Sequence, residues 1–476
     1  MTIDYGLLAP VRAGTAVARL VSDDAWVGAM LEVEIALARV QARLGIIPAE
    51  VPDCVAVAVR TGRFDGRVLA EEARGAANPV VALVQWLQRT VAQVDSASAD
   101  YVHWGATSQD IFDTATMLIA ARALSVIVDD LNETIAALVD SARAHRNTPA
   151  VARTLAMHAV PTTFGAKLAV WAQGVVDARD RVCQVRTYGL PVALSGAAGT
   201  FASYVECARV SGGELATAPA AVIHDRLNTE LAVELGLTSG VMPWHTVRTP
   251  IADLAGSLAM VTGALGRFAI DVITLSRTEI RELAEPGAVG RGESSAMPQK
   301  RNPVLATMIR TAALQMPGLV STLFTTMLAE DERSAGLWHA EWQPLRECLA
   351  LAGGSACTAR ELAGGLIIDS QHVASNLALG RGQVASERLV IRLTPLLGRV
   401  RTKKLLQSAS FEANSTGQAL AEVLSENPII RSHLDADAIA ELLCPENYLG
   451  IAPDLAARVR VRPACACSAG SSGSEM

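Results

Sequence analysis

The sequence is poor in aromatic residues and in clustered charge of either sign. Phe, Trp and Tyr together make up 4% of its 476 residues. Its 41 basic and 48 acidic side chains give a net charge of −7, and no uninterrupted block of basic residues occurs. A protein that binds nucleic acid or an anionic membrane surface through charge needs a basic patch. We therefore expect neither nucleic acid nor a membrane as a partner.

The sequence also lacks a signal peptide, an uninterrupted membrane span and a cysteine pattern typical of a metal site. The first residues, MTIDYGLLAPVRAGT, do not show the charged and apolar segments of a signal peptide. The most apolar window contains Asp253 and Arg267, so its uncharged part is well short of the ~20 residues that a span needs. Of the eight cysteines, only Cys465 and Cys467 are close together, in a tail of unassigned role. We interpret the others as small buried hydrophobic residues in a reducing compartment, and expect a cytoplasmic protein without metal or organic cofactor.

Long segments with apolar residues at helical spacing fill most of the chain. The first such segment, Thr114 to Arg146, contains neither Gly nor Pro. Further long helices are predicted from Pro161, from Pro250 to Pro286, from Pro303 to Leu328 with a kink at Pro317, and from Pro344 to Leu366. The helix from Pro250 would be roughly 50 Å long at ~1.5 Å per residue. Strand signals are weak throughout.

These helices are apolar on more than one face, so each needs neighbours on several sides. Five of them predict a bundle, and the positive mean hydropathy suggests that bundles from several chains pack together. We predict an all-α protein with a helical N-terminal domain (1–104), an elongated central helix bundle (105–358) and a smaller helical C-terminal domain (359–462). Residues 463–476, rich in Ser and Gly, are predicted to be a disordered tail.

Polar clusters interrupt this apolar background at the predicted helix ends. They are HWGATSQDIFDT (103–114), ARTLAMHAVPTTFG (152–165), LSGAAGTF (194–201), PWHTVRTP (243–250), GRGESSAMPQKRNPV (290–304) and EDERSAGLWHAEWQPL (330–345). Taken singly, Thr107, Ser108, Thr162 and Thr163 are best interpreted as helix caps. Several helix N-termini that converge with Lys and Arg side chains would instead bind a small, multiply charged anion.

The loop ESSAMPQKRNP resembles the signature Gly-Ser-Ser-x-Met-Pro-x-Lys-x-Asn-Pro of the fumarase/aspartase superfamily. The segments GATSQDIFDT, RTLAMHAVPTTFG, WHTVR and LWHAEW are similar to its 3-carboxy-cis,cis-muconate cycloisomerase branch, and the resemblance covers nearly the whole chain. It implies a three-domain fold and a homotetramer with a core of twenty helices, in which three subunits form each active site. It also implies anti elimination or addition beside a carboxylate, through a stabilised aci-carboxylate.

The resemblance further implies roles for individual residues. Ser294 would be the catalytic base, carried on a mobile loop that excludes water. The residues implied to bind substrate are Asn78, Thr107, Ser108, Gln109, Thr154, Arg248, Ser295, Lys300, Asn302 and Arg333. For Arg248 and Arg333 a salt bridge within the bundle is equally open, and for Arg301 a salt bridge is as plausible as a substrate contact. Gly196 and Gly199 would approach either a ligand or another helix.

Three positions depart from the related branches. Leu155 follows Arg-Thr where the fumarase and adenylosuccinate lyase branches have a histidine, so a general acid is missing there. This absence matters least for a weakly basic leaving group such as nitrite or a carboxylate. His158 remains a candidate acid or anion contact, or else a core residue. Glu293 in place of Gly, and Gln299 in place of His, disfavour a tricarboxylic muconate.

We therefore expect a lyase that forms fumarate from a substituted succinate, a small dicarboxylate, by anti β-elimination. Nitrosuccinate, which would yield fumarate and nitrite, best matches the missing acid. Two alternatives stay open. One is 3-carboxy-cis,cis-muconate cycloisomerase activity, and the other is a non-catalytic helical scaffold, against which the intact Ser294, Lys300 and Asn302 argue.

Overall fold

The computed structural model describes residues 5–459, which are mostly helical. The helices before residue 105 are α1 (Ala16–Leu20), α2 (Asp23–Arg43), α3 (Val51–Thr61), α4 (Gly66–Ala76), α5 (Pro79–Val94) and α6 (Ser96–Ala99). The central helices are α7 (Ser108–Ala144), α8 (Phe164–Tyr188), α9 (Ala202–Val210), α10 (Ala220–Leu235), α11 (Thr249–Leu275), α12 (Val304–Thr325) and α13 (Leu337–Gly364). The last helices are α14 (Ser370–Ala378), α15 (Ser386–Leu397), α16 (Arg399–Thr416), α17 (Leu420–Glu426), α18 (Pro428–Arg431), α19 (Ala436–Leu443) and α20 (Ala452–Arg458).

Five long helices, α7, α8, α11, α12 and α13, form the predicted bundle. α7 packs against α8 and α13, and α11 packs against α8, α12 and α13. α7 begins at Ser108, and the Asp110 carboxylate accepts from the backbone N–H of Thr107 at 3.1 Å, which is one half of a capping box. Leu124, Ile127 and Leu131 are fully buried, as the helical spacing of their apolar side chains predicts.

Several helix boundaries differ from the prediction. α11 ends at Leu275, well before Pro286, because the Ser276 hydroxyl bonds the Val272 carbonyl and the chain then turns through a left-handed Arg281. Its 27 residues are about 40 Å long. α8 begins at Phe164 rather than at Pro161, and α13 begins at Leu337, before its internal Pro344.

The described chain is mostly helical, as predicted, and it also contains four short strands. They are β1 (Pro149–Thr154), β2 (Met157–Thr163), β3 (Leu283–Ala284) and β4 (Ile367–Ile368), which pair as β1–β2 and β3–β4, both antiparallel. The β1–β2 hairpin occupies the polar cluster at 152–165. Its two-residue turn is Leu155–Ala156, with φ of 50° and 68°, and Thr154 lies opposite Met157. Such a turn requires positive φ at both positions, which usually selects Asn and Gly.

The described residues bury two main hydrophobic cores. The larger runs from Val11 to Val373 and takes in Ala456 and Val459 of the returning C-terminal segment. The smaller lies within the C-terminal helices, between Leu389 and Leu443. The domain boundaries stay predictions, and the proposed tail at 463–476 lies outside the described residues.

By length and composition α7 and α11 could each cross a bilayer, but the most apolar part of α7 is 78% buried inside the chain and that of α11 is 50% buried.

Half of the unpaired cysteines among the described residues are buried, and the other half are partly exposed. Cys183, Cys207 and Cys348 are buried, and Cys54, Cys357 and Cys444 are not fully buried. Cys465 and Cys467 lie outside the described residues.

Candidate functional site

The N-terminal end of α7 brings together four of the predicted binding residues. Asn78 caps α5, and its Nδ2 donates to the Ser108 hydroxyl at 2.8 Å. The Arg333 Nη2 donates to Thr107 Oγ1 at 2.8 Å and to the carbonyl of Ala197 at 3.2 Å. We call Asn78, Thr107, Ser108 and Arg333 the α7 N-terminal site. A helix start, two hydroxyls and a guanidinium at one place favour binding of a carboxylate.

Asp110 accepts hydrogen bonds from several residues around this site, although it was not among the residues predicted from the sequence. Its side chain is 1% exposed and accepts from the N–H groups of Thr107, Ser195 and Gly196 at 2.9 to 3.1 Å. Tyr204 donates its hydroxyl to the same carboxylate at 3.0 Å, and the His245 ring contacts it at 3.1 Å. Burial, reinforced by the Asp110 charge, raises the pKa of Tyr204 well above its usual range, so that Tyr204 stays a donor. An acid three residues after Thr107 is the capping-box signal that could have identified Asp110.

The glycines of the 194–201 segment meet protein atoms. Gly196 has φ of +72°, and a Cβ there would lie 3.1 Å from the Ser203 hydroxyl. A Cβ on Gly199, where φ is +75°, would lie 3.3 Å from Pro243. Both glycines therefore shape the loop that carries the Ala197 carbonyl, because L-residues rarely adopt this backbone conformation.

The side chains of Gln109 and Arg248 bond to groups other than the four residues of the α7 N-terminal site, and their assignment to substrate binding stays a prediction. Gln109 is fully buried and donates to Asp113 at 3.1 Å and to the His245 carbonyl at 3.0 Å. Arg248 is 2% exposed and forms ion pairs with Asp113 at 2.7 Å and with Glu341 at 2.5 Å. The guanidinium is enclosed by carboxylates, so of its two predicted roles the salt bridge within the bundle is the one observed.

The β1–β2 hairpin presents Thr154, Leu155 and His158 at the surface of the chain, with Leu155 completely exposed at the turn. His158 lies opposite Arg153, whose guanidinium pairs with Glu282 at 2.6 Å. Burial, and then the charge of Arg153, lower the pKa of His158. A lowered pKa leaves less of the imidazolium form, which weakens His158 as a general acid near neutral pH.

The Ser294 loop has a defined internal geometry. Ser294 Oγ accepts from the backbone N–H of Met297 at 3.1 Å and of Ala296 at 3.3 Å. Hydrogen bonds to a hydroxyl oxygen favour its deprotonated form, so this turn prepares Ser294 to act as a base. Ser295 and Lys300 are exposed on the same loop.

The two ends of this loop are joined at its base. The Gly292 carbonyl accepts from the backbone N–H of Asn302 at 2.9 Å and from its side-chain amide at 3.2 Å. Gly292 has φ of +65°, and a Cβ there would lie 2.5 Å from the Asn302 carbonyl oxygen. Glu293 and Arg301 face each other across this closure at 3.6 Å, which partly balances the Glu293 charge. Arg301 therefore has the salt bridge predicted as one of its two roles, and Asn302 holds the loop.

The candidate residues lie at two opposite ends of the bundle. α7 has 37 residues, about 55 Å, and the hairpin follows its C-terminal end. The Ser294 loop is anchored near that same end, because Arg291 pairs with Glu361 late in α13 and β3 pairs with β4. Thr107 and Ser294 of one chain are therefore too far apart to contact a single small substrate.

Within residues 5–459 no group of three or more His, Cys, Asp or Glu side chains is arranged to hold a metal ion. The observed charges and dipoles at the candidate site belong to side chains and backbone groups of the chain. Three features provide them: the helix start with Arg333, the paired N–H groups around Ser294, and the loop ammonium of Lys300.

Comparisons with known proteins identify the family of the chain. A family model described as lyase matches residues 16–318, and one described as adenylosuccinate lyase C-terminus matches residues 382–459. The chain is 52% identical to nitrosuccinate lyase from Streptomyces davaonensis, across 96% of this chain and 94% of that protein. It is 39% identical to 3-carboxy-cis,cis-muconate cycloisomerase from Pseudomonas aeruginosa, across 94% and 92%. The structure of 3-carboxy-cis,cis-muconate lactonizing enzyme from Pseudomonas putida superposes with a TM-score of 0.85 at 35% identity, covering 95% of this chain and 98% of that chain.

Proposed function

Because this chain belongs to the fumarase/aspartase superfamily of lyases, we propose that it eliminates nitrite from nitrosuccinate to give fumarate. The observation that carries the proposal is the 52% identity to a nitrosuccinate lyase over almost the whole chain. The intact Ser294 loop supports it, since the elimination needs a base. So does Leu155, whose side chain cannot protonate a leaving group.

The proposed reaction begins with proton removal from the CH₂ carbon of nitrosuccinate. Ser294 Oγ, as the alkoxide that the N–H groups of Ala296 and Met297 favour, takes the proton. The electron pair of the broken C–H bond moves into the adjacent carboxylate and forms an aci-carboxylate. Donors such as Lys300 stabilise this extra charge more than they stabilise the substrate. The electron pair then returns to form the C=C bond, the C–N bond breaks, and nitrite leaves with the electrons of that bond.

Nitrite needs no proton to leave, because it is a weak base. General acid catalysis contributes most when the leaving group is strongly basic, as an amine is. The hairpin turn offers Leu155 where an acid would be needed, and the lowered pKa of His158 makes it a poor substitute. Pairing with Arg301 partly balances the negative charge of Glu293 beside Ser294. These features suit a dicarboxylate that carries a good leaving group.

We further propose that the active enzyme is a homotetramer in which different subunits supply the α7 N-terminal site, the hairpin and the Ser294 loop. The proposal rests on distance, since an α7 of 37 residues separates Thr107 from the hairpin by about 55 Å. A substrate with four carbons cannot bridge that length. Packing of α11 and α12 against other copies would also cover exposed apolar side chains such as Ile270 and Leu314.

The proposed activity is tested with purified protein and separate substrates, by following the absorbance of fumarate. We expect fumarate from nitrosuccinate and none from amino-substituted succinates. The Ser294→Ala variant should lose nearly all turnover, at least ~10³-fold, and keep its fold, whereas the matched Ser295→Ala variant should retain more activity. Consumption of 3-carboxy-cis,cis-muconate without fumarate from any succinate would instead support the cycloisomerase activity of the relatives at 39% identity. Equal activity of Ser294→Ala and the unaltered protein would refute the assigned base.

A further inference from the structure

A cleft of about 620 Å³ lies between the β1–β2 hairpin, α8, α11 and α14. Its lining residues differ from those of the α7 N-terminal site and of the Ser294 loop. Its apolar lining residues include Val170, Trp171, Leu275 and Leu379. Its lining also includes Lys167 near the start of α8, together with His158 and Thr162 from β2, and the charged residues Arg153, Arg267, Asp271, Arg277 and Glu279. The cleft therefore combines an apolar lining with the donors of Lys167, His158 and Thr162.

Lys167 is an unusual residue in this chain. Only four of the 41 basic side chains are lysines, and the other three are Lys300, Lys403 and Lys404. Those three are exposed, whereas Lys167 is partly buried. Among residues 5–459 its ammonium has no partner in a hydrogen bond or ion pair. A partly buried ammonium without a counterion is less favourable than one in water, and binding of an anion would stabilise its charge.

The two carboxylates whose charges act on Lys167, those of Glu282 and Asp271, are already bonded to other groups. Glu282 accepts from Arg153 at 2.6 Å and from Asn376 at 2.9 Å. Asp271 accepts from the Trp171 indole at 2.8 Å and pairs with Arg267. Each of these carboxylates therefore has another cation or donor to bond. Burial lowers the pKa of Lys167, and the attraction of Glu282 offsets this only in part.

We propose that this cleft is a binding site for a small oxyanion, held by Lys167, His158 and Thr162. An ammonium, an imidazole and a hydroxyl together suit a group with two or more negatively charged oxygens. The apolar lining favours a carboxylate that carries a short carbon chain, and nitrite or inorganic phosphate shares the oxyanion chemistry. The proposal shares His158 and the β1–β2 hairpin with the proposed active site, and its evidence is the set of residues that line the cleft in this chain.

The first test measures the reactivity of each lysine in the full-length protein. An amine-acylating reagent is applied with and without fumarate, nitrite or inorganic phosphate, and the modified peptides are quantified by mass spectrometry. We expect one or more of these anions to slow acylation of Lys167 severalfold and to leave Lys403 and Lys404 unchanged. Protection of Lys300 alone would place the anion at the Ser294 loop and overturn the proposal. So would an unchanged rate at Lys167 with all three anions.

The second test compares anion binding by variants in titration calorimetry. Lys167→Gln keeps most of the side-chain length and removes the charge, so affinity for the protecting anion should fall about tenfold or more. Lys403→Gln is the matched control and should bind as the unaltered protein does. Thr162→Val removes one neutral donor and should weaken binding about threefold to tenfold, which gives a second variant if Lys167→Gln does not fold. Unchanged affinity in the folded variants would contradict the proposal.

Discussion

Replacement of Arg248 by Met should strongly destabilise the fold. The guanidinium lies 2.7 Å from Asp113 and 2.5 Å from Glu341, and all three side chains are 2% exposed. Met approximates the volume of the arginine stem but leaves two carboxylates buried without their cation. Removal of one partner of a buried ion pair costs about 3–5 kcal/mol, and a typical domain is stable by only ~5–15 kcal/mol. With two carboxylates affected, we expect a loss at the upper end of that range.

The loss of stability should also depend on pH, and the direction of this dependence follows from the pKa of Glu341. Burial raises the pKa of Glu341, and Arg248 opposes that rise. In Arg248→Met this opposition is gone, so the pKa of Glu341 in the folded state rises further. A carboxyl with a raised pKa binds its proton more tightly in the folded protein than in the unfolded chain. Stability therefore falls as the pH increases above the ordinary Glu value of about 4.3, and the loss should be larger at pH 8 than at pH 5.

The assay is urea unfolding followed by circular dichroism at both pH values. Arg143→Met is the control, because Arg143 pairs with Asp140 on the surface and is 62% exposed. This control should change the free energy of unfolding by no more than about 0.5 kcal/mol. A loss below about 1 kcal/mol for Arg248→Met at pH 8, or a larger loss at pH 5, would refute the assignment of a buried structural pair.

Three further substitutions test the loop and the hairpin. Gly292→Ala should reduce turnover about 100-fold with little change in melting temperature. The added Cβ would lie 2.5 Å from the Asn302 carbonyl oxygen and would displace the loop. Normal turnover would show that the contact between Gly292 and Asn302 is not needed for activity. Leu155→His should leave nitrite release within about threefold, since nitrite needs no general acid, and a tenfold rise in kcat would contradict that reasoning. Ala156→Gly should stabilise the protein by up to ~1 kcal/mol in urea unfolding, because its φ of 68° suits glycine. A destabilisation would show that contacts of the Ala156 methyl contribute more to stability than glycine gains from its freedom at positive φ.

The long helices could be predicted because their signals are local. α7 was predicted over Thr114–Arg146 from a run without Gly or Pro, and it spans Ser108–Ala144. The β1–β2 hairpin could not be predicted in the same way, because its turn uses Leu155 and Ala156 instead of residues that mark such turns. The end of α11 at Leu275 was missed for a similar reason, since no proline follows until Pro286.

The candidate site was predictable in its motifs but not in its pairings. The Ser294 loop and the α7 N-terminal site were identified from short segments, and the structure gives each a consistent geometry. The role of Arg248 depends on Asp113 and Glu341, which are 135 and 93 residues away in sequence. An arginine near a helix end gives no local sign of whether it faces a substrate or a buried carboxylate. Lys167 was missed because nothing in its own segment shows that nearby carboxylates bond to other groups.

The central claim is that this lyase removes a proton through Ser294 and releases nitrite. The most direct measurement quantifies nitrite and fumarate in the same reaction of the purified protein with nitrosuccinate. We predict equal amounts of the two products, formed together, and neither above background with Ser294→Ala. Release of neither product by the unaltered protein, or fumarate formed without nitrite, would contradict the claim.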